Sequence, residues 1–120
     1  MYQLSIIIPI YNGEAYLERL LKSIGVIPPS VELILVDNGS TDGSVKIIQA
    51  YRAAHPHTKV VFEKQNGVAS ARNAGLALAK GKYIWFIDAD DAVRSDALLR
   101  ILQIVTTIDF DLFVFNYQPL

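Results

Sequence analysis

The sequence predicts an α/β fold, a mostly parallel sheet flanked by helices, and three observations carry that reading. Short apolar runs rich in β-branched and aromatic residues alternate with amphipathic stretches of helical period. Several of the runs lack polar alternation, as strands covered on both faces do. The first four runs each end in a polar cluster, whereas the opposite ends meet plainer sequence such as PPSVE and KGKY. With 120 residues the chain has room for one domain, residues 1–120.

Taken in order, Ser5 to Ile8 reads as the first strand and runs into PIYNGE. Leu17, Leu20, Leu21 and Ile24 then follow the i, i+3, i+4, i+7 spacing of a helix with one apolar face. Pro28 and Pro29 break the chain before the second strand, Leu33 to Val36, which is followed by DNGSTDGS. The stretch from Ser44 to Tyr51 puts Ile47, Ile48 and Tyr51 on one helical face. Val60 to Phe62 is the third strand, ending in EKQNG, and Ala71, Ala74, Gly75 and Leu78 mark the third helix, with Gly81 at its expected stop. Tyr83 to Ile87 is the fourth strand, ending in DADD; Ser95 stands where an N-cap is expected for the helix of Leu98, Ile101, Leu102 and Val105. Leu112 to Phe115 reads as a fifth strand.

Eleven basic and twelve acidic side chains leave a net charge of −1, so no global field draws the chain to nucleic acid or an anionic bilayer, and no nucleic-acid partner is expected. The absence of cysteine excludes a disulfide framework and a thiolate metal site, and suits a reducing, cytoplasmic setting. The opening MYQLSIIIPIYNGE lacks the leading positive charge of a signal peptide. No apolar run approaches the roughly 18 residues that suggest a membrane span.

The polar clusters hold the chemistry. In WFIDADD an apolar strand gives way to three carboxylates, which repel one another unless something positive intervenes. Residues two apart in extended chain face the same way, so Asp88 and Asp90 point together. Two hard carboxylates with open positions suit Mg²⁺ or Mn²⁺ carrying a diphosphate; the competing reading is that they merely end a strand and start a helix. Asp37, just beyond a buried strand, can accept hydrogen bonds from a base N–H or a ribose hydroxyl, or belong to an Asx-rich turn with Asn38, Gly39 and Ser40. Arg72 lies in the first turns of a helix whose small residues (Ala69, Ala71, Ala74, Gly75) permit close approach to the sheet, with its N-terminal amides free for an anion. A solvated arginine on an alanine-rich helix is the alternative. His55 and His57 have no ligand partners at suitable spacing and are assigned no role, and Trp85 and Phe86 read as core packing.

In combination and in this order, PIYNGE, VDNGSTDGS, NGVASARNAG and FIDADD resemble the family-2 glycosyltransferases of the GT-A type, over nearly the whole chain. The resemblance implies a Rossmann-like, truncated GT-A fold: the nucleotide-sugar-binding part, without the acceptor-binding half. It implies that Pro9, Tyr11 and Asn12 line the nucleotide pocket and that Asp37, with Asn38 beside it, holds the nucleobase. Asn38 stands where the family often has a second aspartate. Asn66 and Arg72 would lie beside the nucleoside and diphosphate. Asp88 and Asp90 match the DxD motif, with Asp90 on Mn²⁺ or Mg²⁺ and Asp88 near ribose or metal.

The resemblance also implies a nucleotide-diphosphate sugar donor, most commonly UDP-linked, and a saccharide or lipid-linked glycan acceptor. Transfer would invert the anomeric centre, as in polysaccharide biosynthesis. The general base belongs downstream of Leu120, since Asp96, Asp109 and Asp111 do not match its position; the fragment is therefore expected to bind donor without turnover. The whole protein is expected in the cytoplasm, peripheral at the inner membrane face. Self-association through a bare strand edge or the aromatic FDLFVFNY patch is a further expectation. Two alternatives stand beside this. One is a non-catalytic nucleotide-binding or assembly module. The other is a haloacid-dehalogenase-type phosphatase, whose DxD is usually followed by Gly-Thr rather than by Asp91 and Ala92.

Overall fold

A computed structural model describes residues 1–107 and Asp109. Four strands, β1 (Leu4–Ile10), β2 (Val31–Asp37), β3 (Lys59–Phe62) and β4 (Tyr83–Phe86), alternate with four helices, α1 (Leu17–Ile24), α2 (Ser44–Ala54), α3 (Val68–Leu78) and α4 (Ala97–Thr107). The strands form one parallel sheet in the order β3-β2-β1-β4. Because β2 and β3 lie to one side of β1 and β4 to the other, the strand order reverses at β1, and the crevice beyond the carboxyl ends of β1 and β4 is a topological switch point. The predicted fifth strand, Leu112 to Phe115, and the aromatic patch around it lie outside the described residues. Among the described residues no helix is long and apolar enough to cross a membrane.

Every residue of β1 and β2 is buried, as their unbroken apolar runs predict. The larger core lies between one face of the sheet and α1, α2 and α4: Ile6, Ile8 and Ile10 meet Leu17, Leu20, Ile48, Leu98 and Ile101. On the other face, among the described residues, α3 is the helix that covers Ile7, Ile34 and Val36. The edge strands behave differently from the sequence expectation, since β3 and β4 are only half buried. Phe86 is 38% exposed rather than part of the core, because it pairs in register with Ile7 on the α3 side, where one helix does not reach across four strands. Trp85, on the opposite face, packs on the larger core as expected. Leu78, the last position of the predicted α3 stripe, is likewise exposed.

The small residues of α3 allow it to lie close to the sheet. A Cβ at Gly75 would sit 2.5 Å from Ile7 Cγ2 and 3.3 Å from Val36 Cγ2, closer than packed atoms tolerate. Gly75→Val is expected to lower stability by about 2–3 kcal/mol through this overpacking. Urea denaturation followed by circular dichroism would measure it, and an unchanged midpoint would show that α3 can lift away freely.

Two expected helix boundaries are corrected. Helix α3 ends at Leu78, and Gly81 is not its stop. Glycine is needed there for space, because a Cβ would lie 2.5 Å from the Ser5 backbone nitrogen. The Gly81 N–H donates to Ser5 Oγ at 2.8 Å, and Ser5 Oγ donates to the Glu32 carboxylate at 2.6 Å. Glu32 is only 2% exposed and also accepts from Lys59 Nζ at 2.7 Å and from the Lys80 N–H. One carboxylate thus joins β2 to β1, to β3 and to the loop entering β4. The α4 helix begins at Ala97, so Asp96 rather than Ser95 occupies its cap position and pairs with Arg100 one turn on, at 2.8 Å.

A proline within a central strand removes a ladder donor, so Pro9 needs an explanation. The Ile7 carbonyl accepts from the Ile87 N–H toward β4, and the Ile10 carbonyl accepts from the Asn38 N–H toward β2. Backbone groups of odd-numbered β1 residues therefore face β4. Pro9 faces that way too, two residues beyond the last β1–β4 pair, Ile7 with Phe86. Its missing N–H falls where the ladder has ended and the switch-point crevice opens.

Candidate functional site

Four loops leave the carboxyl ends of the strands, and they hold one another in place. Asn12 adopts φ 48°, a left-handed conformation that asparagine tolerates. Its Oδ1 accepts from the Thr41 N–H at 2.8 Å, and its own N–H donates to Ser40 Oγ at 2.9 Å. Next along, the Gly13 N–H donates to Ser44 Oγ and the Glu14 N–H to the Asp42 carboxylate. Hydrogen bonds from the Ser44 hydroxyl and N–H and the Glu14 N–H hold the Asp42 carboxyl below the usual aspartate range. The side chain of Asn12, expected to line the nucleotide pocket, is thus engaged in joining the β1–α1 and β2–α2 loops.

A cleft of about 420 Å³ opens beside this junction, lined by Pro9, Tyr11, Asn38, Asn66, Gly67 and Val68, among others. Tyr11 and Asn66 are exposed; Asp37 and Asn38 are buried at 3% and 6% exposure. Asp37 is the last residue of β2, and its Oδ2 accepts from the Gly39 and Ser40 N–H groups, both at 3.2 Å. That is the Asx turn of the sequence reading. Its Oδ1, however, is buried without a partner among the described residues, a costly condition that a donor from a ligand would relieve. Asn38 does something the sequence did not reveal. Its Nδ2 donates to the Gln65 carbonyl at 2.7 Å and to that of Glu63 at 3.3 Å, while its Oδ1 accepts from the Gly67 N–H at 3.0 Å. The amide therefore shapes the β3–α3 loop that carries Asn66. An aspartate at this position would have no donor for those carbonyls.

Beyond the cleft, α3 opens without a side-chain cap, so its first N–H groups are free for an anion. Arg72 follows one turn on. Its guanidinium lies 5.6 Å over the Phe86 ring and its NH2 group 3.5 Å from Asp88 Oδ1, while its Nε is buried without a partner among the described residues. Asp88 and Asp90, joined by Asp91, can each offer one carboxylate oxygen within 4.8 Å of the others. Burial, then the neighbouring charges of Asp88 and Asp90, push the Asp91 carboxyl above its ordinary value. Three oxygen donors, partly exposed and in mutual repulsion, are a donor set that Mg²⁺ or Mn²⁺ would fit, with coordination positions left for water or phosphate. Sequence spacing singled out Asp88 and Asp90. The contribution of Asp91 depends on the turn in which its N–H donates to the Asp88 carbonyl.

His55 stacks on the Tyr51 ring at the end of α2, away from this rim. Asp96 pairs with Arg94 and Arg100, and Asp109 with Lys82.

A parallel sheet with its polar loops gathered at one switch point is the arrangement in which open α/β domains hold ligands. Residues 5–119 match the family described as Glycosyl transferase family 2, and the chain belongs to it, which sets the phosphatase reading aside. A relative named Glycosyltransferase GlyG, from Streptococcus pneumoniae, is 37% identical over 119 residues, covering 95% of this chain and 38% of its own length. The structure of S. aureus TarS 1–349 in complex with UDP-GlcNAc superposes with a TM-score of 0.76 at 31% identity, over 84% of this chain and 30% of that one. Glucosyl-3-phosphoglycerate synthase from Mycobacterium tuberculosis, solved with Mn²⁺, UDP and glucosyl-3-phosphoglycerate, gives 0.68 at 26% identity, over 88% and 40%. The chain thus spans well under half of each.

Proposed function

We propose that residues 1–120 form the donor-binding part of an inverting, metal-dependent glycosyltransferase that takes a sugar from a nucleotide-diphosphate donor, UDP-linked by first preference, to a hydroxyl of a saccharide or lipid-linked glycan. The observation that carries this reading is the presence, on one rim, of a buried unpaired acceptor at Asp37 and a three-carboxylate cluster at Asp88, Asp90 and Asp91. The UDP, UDP-GlcNAc and Mn²⁺ bound by the solved relatives support it.

On this reading Asp37 Oδ1 accepts a hydrogen bond from the base or ribose, while Pro9, Tyr11 and Asn66 flank the nucleoside in the cleft. Arg72 leaves Asp88 to donate to diphosphate oxygens, which its buried, unpaired Nε also favours. Asp88 and Asp90, with Asp91 beside them, would hold Mn²⁺ or Mg²⁺. The cation, when bound, supplies Lewis-acid stabilisation of the departing diphosphate. None of Asp96, Asp109 and Asp111 matches the position of the family's general base, and on this reading residues 1–120 by themselves bind donor without transferring sugar. We place the protein in the cytoplasm, peripheral at the inner membrane face.

Calorimetric titration of UDP into the chain, with and without Mn²⁺ and with GDP as competitor, tests the reading. Binding that requires Mn²⁺ and is poorly competed by GDP is expected. A folded chain that binds neither nucleotide would overturn it in favour of a non-catalytic assembly module.

A further inference from the structure

The loop that carries the three carboxylates is held from the opposite side by α1, a helix to which the donor-site reading gives no role. Arg19 NH2 donates to the Asp90 carbonyl at 2.9 Å. One turn further along the same face, Ser23 Oγ accepts from the Val93 N–H at 3.0 Å while donating to the Leu20 carbonyl at 2.7 Å, which fixes its hydroxyl direction. The two side chains are four residues apart and so stack on one helical stripe. They take hold of the loop at two backbone points, one on Asp90 itself and one beyond Asp91. On its inner side α1 is locked by Leu17, Leu20, Leu21 and Ile24, all buried. An anchored helix thus grips a loop whose own carboxylates repel one another.

We propose that Arg19, with Ser23, is a positioning residue for the metal-binding loop, keeping the Asp88, Asp90 and Asp91 carboxylates converged before a cation arrives. The proposal rests on the donor-site reading. Arg19 touches the loop backbone and not the cation. Its positive charge in addition offsets part of the repulsion that would otherwise spread the loop. Both side chains were invisible as loop partners in the sequence, where they are ordinary polar residues of an amphipathic helix.

The test uses the 120-residue chain with Arg19→Ala, Arg19→Lys and Ser23→Ala, and three readouts. These are Mn²⁺ affinity in the presence of UDP by electron paramagnetic resonance, melting temperature in EDTA, and hydrogen exchange of the amides from Asp91 to Val93. Arg19→Ala is expected to weaken Mn²⁺ about 10-fold, as loss of a ligand's supporting partner does, with faster exchange confined to the loop and little change in melting temperature. Arg19→Lys, which keeps a charge and one donor, should recover part of the affinity. Unchanged Mn²⁺ affinity and exchange in Arg19→Ala would overturn the proposal, as would a loss matched by a general drop in melting temperature, which marks a merely structural contact. Wild-type chain that binds no Mn²⁺ would overturn the donor-site reading itself, and the metal role of Arg19 with it. Exchange in the loop would still report on the grip of α1.

Discussion

Glu32→Ala is expected to cost the chain about 3 kcal/mol, a large share of the stability of a domain this size. The substitution removes the acceptor for three separate donors at once, and they do not share its loss equally. The Ser5 hydroxyl, which still accepts from the Gly81 N–H, and the Lys80 N–H each lose their acceptor, whereas Lys59, whose side chain is 30% exposed, can turn to water. Glu32→Gln should cost less, because the amide oxygen still accepts while its NH2 group faces the Lys59 ammonium. The effect carries a pH signature. Burial alone would raise the Glu32 carboxyl, but hydrogen bonds from Lys59, Lys80 and Ser5 and the Lys59 charge outweigh it and hold the carboxyl below its ordinary value of 4.5. A carboxyl depressed in the folded state contributes fully above the unfolded value. That contribution is lost as pH falls below 4.5, where the unfolded chain takes up the proton first. Urea denaturation at a series of pH values should therefore show a falling acid limb in the wild type that is flatter in Glu32→Gln. Parallel limbs would mean that Glu32 titrates alike in both states.

Asp90→Asn should have the largest effect on binding, weakening Mn²⁺-dependent UDP affinity about 100-fold, the upper end of what even a supporting partner of a metal ligand costs. The carboxylate of Asp90 makes no ion pair among the described residues, so the substitution removes a charge that the fold does not use. It relieves repulsion within the cluster instead, and the melting temperature should hold or rise slightly. Asp88→Asn is a different experiment. It frees Arg72 from its 3.5 Å partner as well as taking away a donor oxygen, so a weakened metal site would be offset by an arginine released toward phosphate. Calorimetry on both variants separates the two roles. Mn²⁺ dependence that survives intact in Asp90→Asn would remove Asp90 from the metal site.

How far the sequence foretold these features depends on the range of the interaction concerned. Strands β1 and β2 are legible because burial on both faces leaves unbroken apolar runs. Asp88 and Asp90 are legible as a pair but not for the reason of extended chain: β4 ends at Phe86, and their carboxylates converge through the turn from Asp88 to Asp91. The helix stripe of α1 is as locally legible as the two strands, with all four apolar positions buried. Which strands lie at the edge is not local, and the exposure of Phe86 followed from strand order rather than from its neighbours in the chain. Glu32 is not legible, because one of the two acidic residues in VELILVD gives no hint of partners 27 and 48 positions away. Asn12 and Asn38 were singled out by position, but their work between loops depends on which loops the topology brings side by side. Gly81 is conspicuous by its type but not by its cause, since a helix stop and a lack of room look identical in one sequence.

Adjacent parallel strands tend to go on bonding until something stops them, and at the carboxyl ends of β1 and β4 continued bonding would close the crevice. In the register of that pair, a residue with an N–H at position 9 would stand ready to donate to the Ile87 carbonyl and draw the backbone of Asp88 toward β1. Pro9 withholds the donor. The opening is thereby written into the main chain as a missing atom, independent of any side chain that could relax or be replaced. A rim opened in this way is preformed, and under the proposed function a nucleotide would not have to unzip a sheet to reach it.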